Sequence, residues 1–168
     1  MPAELLPLSW LVGHWAGVGL GQYPGIDDFR FGQELTISWD GQPFLWHSSR
    51  SWLLDDAGDR VRPLAAETGF WRPRPDNGAE LLLAHPTGYA EVWYGQVTVT
   101  AMETARISGA RIHLQSDVVA RTASAKPYGG GERLYGLVGD ELLWTFDMAA
   151  GDRPLGNHLA ARLRSVVA

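Results

Sequence analysis

Gly13-His14-Trp15-Ala16-Gly17-Val18-Gly19, with Tyr23-Pro24 close behind it, is the stretch whose reading decides the fold of this chain. Its pattern is G-x-W-x-G-x-G. A glycine inside a strand gives up packing and backbone entropy, so it marks a bulge, a bend or the close approach of another backbone. Trp15 sets a large apolar anchor in the middle of that run. A small, strongly curved β-barrel needs both devices where its first strand opens. A glycine-rich turn beside a tryptophan is the plainer alternative.

Working outward, the pattern on either side agrees with an all-β chain. Leu5 to Val12 reads as a short apolar helical turn ending near Gly13. Beyond the motif, short β-rich segments alternate with turn residues: Glu34–Trp39, Phe44–Leu54, Glu67–Arg74, Glu80–His85, Tyr89–Gly95, Val97–Met102, Ala105–Ile107, Arg111–Arg121, Arg133–Leu137 and Glu141–Ala149. Asp40-Gly41, Asp55-Asp56-Ala57-Gly58-Asp59, Asn77-Gly78 and Gly139-Asp140 are turn signals between them. Val97–Ala101 and Leu142–Phe146 alternate as half-buried strands do. About ten short strands joined mainly by tight turns make an antiparallel meander, and closure into a barrel leaves no exposed edge. A two-sheet sandwich of the same strands is the other architecture.

Residues 1–168 read as one domain, without linker, repeat or shift of composition. A net charge of −5 argues against nucleic acid as a partner, because phosphate binding needs concentrated basic surface. No apolar run is long enough to span a membrane, and the N-terminus lacks a basic n-region, so a cytoplasmic protein is expected. With no cysteine, disulfides, thiolate ligands and a cysteine nucleophile are excluded. Eight tryptophans either fill a β core or line a ligand cavity; core packing is the better reading for each one singly.

A small barrel holds one small ligand at its mouth. The five histidines are the candidates to act on it. They show neither H-x-H nor H-x-x-x-H spacing, which gives little support to a zinc site. His14, His85 and His113 read as structural or solvent-facing, and His47 as a residue that could face a cavity. His158 follows the turn-like Gly151–Gly156 and precedes Leu159-Ala160. In an extended strand His158 and Ala160 share a face, and the small Ala160 leaves room beside the imidazole, as a five-coordinate haem iron requires. From the residues alone a structural histidine stands beside that reading.

These motifs resemble the nitrobindin family of haem-containing β-barrels, which are similar to fatty-acid-binding proteins and lipocalins. The resemblance runs from about Leu8 to Leu163. It rests on the opening glycine-tryptophan motif, Tyr23-Pro24-Gly25-Ile26, Gly41-Gln42-Pro43-Phe44, Glu67-Thr68-Gly69-Phe70, Leu83-Ala84-His85-Pro86-Thr87-Gly88, Lys126, Met148 and Pro154-Leu155-Gly156-Asn157-His158-Leu159. It implies that His158 is the axial ligand of ferric haem b, with no catalytic residue beyond the iron. Lys126 matches a lysine of bacterial members and is read either as a propionate anchor or as a turn residue before Pro127. The family commonly has a threonine in contact with the haem where this chain has Gly25, so only backbone could serve there. The implied activity is isomerisation of peroxynitrite to nitrate, with nitric oxide as a further ligand, for scavenging or sensing. Family members can pair as homodimers, and a homodimer is the matching expectation here. The rival reading is a non-enzymatic carrier of an apolar molecule, with Arg133 or Arg121 turned inward to a carboxylate.

Overall fold

The computed structural model describes residues 1–149 and 156–167, so the turn-like Gly151–Leu155 lies outside the described residues. A 3₁₀ helix over Ala3–Leu11 comes first. Ten strands follow: β1 (Gly13–Tyr23), β2 (Ile26–Ser38), β3 (Leu45–Leu54), β4 (Arg60–Arg74), β5 (Gly78–His85), β6 (Tyr89–Glu103), β7 (Arg106–Arg121), β8 (Gly131–Val138), β9 (Glu141–Met148) and β10 (Gly156–Ser165). Every neighbouring pair is antiparallel, and β1 pairs with β10 to close the barrel. The closed barrel is therefore the architecture, and the sandwich is not.

Two expected breaks are absent. Gly95 does not separate two strands but lies within β6, opposite Leu114, where a side chain would run into the main-chain oxygen of His113. Likewise Gly109-Ala110 lies within β7. A glycine needed for close backbone approach is easily mistaken for a turn when its partner strand is unknown.

The opening motif does what a barrel's first strand requires. Trp15 is buried, and its indole N–H donates to the Leu11 carbonyl at 2.9 Å, tying β1 to the helix before it. Gly17 faces Leu163 of β10, and a Cβ there would fall on the carbonyl oxygen of Arg162. The helix buries Leu5, Leu8, Trp10 and Leu11 against β4, β6 and β7, and so plugs one end. Around that plug sits the apolar core, including Leu35, Leu45, Trp71, Leu81, Trp93, Ile112 and Leu163. The opposite end is left for a ligand. Among the described residues no helix is long and apolar enough to cross a membrane.

Candidate functional site

A cavity of about 460 Å³ opens at the end of the barrel opposite the helical plug. Phe29, Phe31, Leu64, Phe146, Met148 and Leu159 give it largely apolar walls. Tyr23, Tyr89, Lys126 and His158 stand among its lining residues.

His158 reaches that lining through an irregularity. In the β9–β10 ladder Asn157 pairs with Asp147 and Leu159 with Phe146, so His158 is the extra residue of a β-bulge. A bulge re-aims a side chain that strict alternation would send elsewhere. Alternation alone sends Ala161 and Leu163 to the buried face and Arg162 outward. Ala160 belongs to the Arg162 parity and is not part of the cavity wall. The expectation that Ala160 shares the face of His158 and makes room for a porphyrin is thus corrected: the bulge breaks the period-two pattern between them. Leu159 and His158, consecutive residues, both line the cavity.

The imidazole is held firmly. Its Nδ1–H donates to the Gln22 carbonyl at 2.6 Å, and Tyr23 and Phe146 pack edge-on against the ring at 5.7 and 5.8 Å between centroids. Gln22 lies where the β1–β2 pairing shifts register, between Gly21 and Tyr23. With the proton on Nδ1, the Nε2 lone pair is left for a Lewis acid, the arrangement that fixes metal-binding histidines.

Lys126 follows buried Ala125 in the β7–β8 connection, its own side chain exposed at the rim, and its carbonyl accepts the Tyr89 hydroxyl at 2.5 Å. Gly25 sits in the β1–β2 turn with φ +90°, is not among the cavity-lining residues, and has open space where a Cβ would be. His14 and His113 are exposed and bond Thr36 and Glu132 on the outer surface.

The inner wall of the cavity is polar, and much of it was not foreseen. Glu67 takes two hydrogen bonds from Arg133, at 3.1 and 2.9 Å. His47 is buried one layer behind the wall. The Trp71 indole donates to its Nδ1 at 3.2 Å, so its Nε2 carries the proton and donates to Glu67 at 3.1 Å. His47 therefore does not face the cavity; it supports a residue that does. Burial disfavours the charge of Glu67, but the Arg133 guanidinium and then the His47 hydrogen bond outweigh it and hold the carboxyl well below the usual range. Arg133 is raised further above its ordinary value: burial opposes its charge, and Glu67 overcomes that opposition. Burial pushes the Tyr135 phenol up to about 12. Two further clusters complete the wall. Trp144 donates to Gln33, which donates to Ser49, each at 2.8 Å. His85 bonds Glu91, whose other oxygen accepts the Tyr128 hydroxyl at 2.9 Å. Burial, then the Glu91 carboxylate, hold the Tyr128 phenol far above its ordinary value.

His85, expected in a structural or solvent-facing role, is half-buried and lines the cavity. Trp144 both lines the cavity and belongs to the apolar core, whereas Trp10, Trp15, Trp71 and Trp93 belong to the core alone. A signal for the missed carboxylate was present: in β6, alternation sets Glu91 on the same face as buried Trp93. Of the two arginines proposed to hold a carboxylate, Arg121 is exposed and donates to the Ala125 carbonyl. Arg133 is buried at the wall but already holds Glu67.

Similarity to known proteins identifies the family of the barrel. Residues 4–165 match the family described as the THAP4-like, heme-binding beta-barrel domain, and the chain belongs to that family. It is 48% identical over 157 residues to a peroxynitrite isomerase of a Nocardioides species, covering 94% of this chain and 90% of that protein. It is 42% identical to a ferric nitrobindin-like protein of Streptomyces griseus, with 98% and 82% covered. The crystal structure of Rv2717c from M. tuberculosis superposes with a TM-score of 0.89 at 33% identity, covering 99% of each chain.

Proposed function

We propose that this chain, residues 1–168 as one nitrobindin-like domain, binds ferric haem b through His158, isomerises peroxynitrite to nitrate and binds nitric oxide. One observation carries the reading: the Gln22 carbonyl fixes the Nδ1 proton of a cavity-lining histidine and leaves Nε2 to a metal. The residues present fit the group. Apolar walls suit a porphyrin, and Lys126 at the rim supplies a cation for a propionate. The haem supplies a ferric Lewis-acid centre for the isomerisation. The protein orients one imidazole, excludes bulk water with Phe29, Phe31, Phe146 and Leu159, and stops deeper entry at the Glu67–Arg133 wall. Gly25 would contribute backbone only. Relatives named peroxynitrite isomerase in Nocardioides and Frankia support the activity. Homodimer formation and a reducing, cytoplasmic setting belong to the same reading.

A carrier of apolar carboxylates finds less support, because both terminal nitrogens of Arg133 are engaged by Glu67. The test is a spectrum and an assay together. The chain mixed with hemin is expected to show a Soret band distinct from free hemin and to speed nitrate formation from peroxynitrite. A chain that leaves the hemin spectrum unchanged overturns the reading.

A further inference from the structure

The five tyrosines occupy three environments. Tyr135 is buried in the core, Tyr94 is 52% exposed on the outer face of β6, and Tyr23, Tyr89 and Tyr128 line the cavity. The three cavity phenols differ in what holds their protons. Tyr89 donates to the Lys126 carbonyl and Tyr128 to Glu91, and burial holds the Tyr128 phenol far above its ordinary value. Among the described residues no hydrogen bond ties the hydroxyl of Tyr23, which is 38% exposed. Its ring lies edge-on to the His158 imidazole, 5.7 Å between centroids. Tyr23 is also joined by its own peptide bond to the Gln22 carbonyl that accepts the His158 Nδ1–H. Two consecutive residues thus hold the same imidazole, and a displacement of the Tyr23 ring is passed through one peptide unit to the carbonyl.

We propose that Tyr23 is a modification site, at which peroxynitrous acid nitrates the ring and the nitrated ring loosens His158 so that the haem is released. The inference rests on the haem reading above, since the isomerisation substrate is the nitrating agent. In the step, the ring C–H bond beside the hydroxyl and the O–O bond of peroxynitrous acid break. A C–N bond and an O–H bond form, and water leaves with the ring hydrogen. The ring carbon is oxidised by two electrons and the two peroxide oxygens take them up, so no further oxidant is required. Two conditions select among the tyrosines: the ring edge must be open to the reagent, and the phenol must be able to shed its proton as the ring is oxidised. Tyr135 fails the first. Tyr128 fails the second, and Tyr89 is half-buried with its proton directed at a carbonyl, which cannot take it. Tyr23 and Tyr94 satisfy both, and of the two only Tyr23 is in ring contact with His158. A nitro group adds bulk to a ring already packed against the imidazole, in a site where His158 also meets Phe146. The strain falls on the hydrogen bond to Gln22 that orients the ligand.

The test loads the full chain with hemin, adds peroxynitrite at a limiting dose and maps nitrotyrosine by peptide mass spectrometry. Nitration is expected several times more at Tyr23 than at Tyr94 in the loaded chain, and at least as much at Tyr94 as at Tyr23 in the hemin-free chain, where exposure alone decides. The nitrated chain should pass hemin to an apo-globin about tenfold faster, the order of one lost hydrogen bond. Tyr23→Phe, which keeps the ring and loses the hydroxyl, should show no such acceleration after the same dose. Nitration that follows exposure in the loaded chain, or that falls first on Tyr89 or Tyr128, overturns the proposal. So does a Tyr23:Tyr94 ratio that hemin leaves unchanged, or hemin release accelerated equally in Tyr23→Phe. A chain that does not load hemin fails the haem reading and the proposal together, whereas a loaded chain with nitration elsewhere fails the proposal alone.

Discussion

The Nδ1–H of His158 donates to the main-chain carbonyl of Gln22 across the β1–β10 seam, at 2.6 Å, although the two residues stand 136 apart in sequence. Both lie at ladder irregularities, a bulge in β10 and a register shift between β1 and β2. A regular sheet would have spent the carbonyl on strand pairing and turned the imidazole outward. The site is therefore a product of barrel closure, since β1 and β10 meet only when the sheet rolls up.

His158→Ala is expected to abolish the hemin spectrum and nitrate formation while leaving the barrel folded, because His158 is half-buried at the mouth and lies outside the apolar core. His14→Ala and His113→Ala, on the outer surface, should leave the Soret band unchanged. Absorbance titration with far-UV dichroism as the folding control checks all three.

Gly17→Val should destabilise the fold by about 1–3 kcal/mol in denaturant unfolding, because the new side chain meets the Arg162 carbonyl oxygen on the partner strand, which cannot move without opening the seam. Equal midpoints for variant and parent would show that β1 and β10 separate more easily than their register implies.

Restoring the family's threonine at position 25 looks from sequence like a way to tighten haem binding. The backbone speaks against it. Gly25 has φ +90°, which a β-branched residue adopts only under strain of about 1–3 kcal/mol. Gly25→Thr should lower thermal stability without tightening hemin binding. A tighter complex at unchanged stability would mean that the turn rearranges to accept the side chain.

Glu67→Gln should cost about 3–5 kcal/mol, since it strands the Arg133 charge in the wall. The wild-type carboxyl is depressed, so its contribution is fully present above the unfolded value near 4.5 and is lost as pH falls below it. Unfolding free energy measured from pH 6 to pH 3 should fall in the wild type and fall less steeply in Glu67→Gln. Parallel slopes would remove Glu67 as the source of acid sensitivity.

Much of the architecture was legible from local chemistry. Turn dipeptides such as Asn77-Gly78 and alternating runs such as Leu142–Phe146 report on neighbours within a few residues, and those neighbours decide strand and turn. The glycine-tryptophan motif carried more, because a close approach demands glycine whatever the partner, and the partner is β10. Where a glycine serves a distant strand, as Gly95 does opposite Leu114, local reading turns it into a false turn.

By itself the sequence determined an all-β chain of short antiparallel strands without cysteine, with His158 marked by its motif, and it favoured a barrel over a sandwich without deciding between them. Only the tertiary structure decided which side chains share the cavity. Glu67, His85, Glu91, Tyr128 and Arg133 come from β4, β5, β6, the β7–β8 connection and β8, and nothing in their spacing announces the meeting. Alternation fixes the face of a residue within its strand, but a bulge such as that at His158 resets it. The depth at which residues from different strands meet depends on register around the closed barrel, a global quantity that each strand shares with all the others.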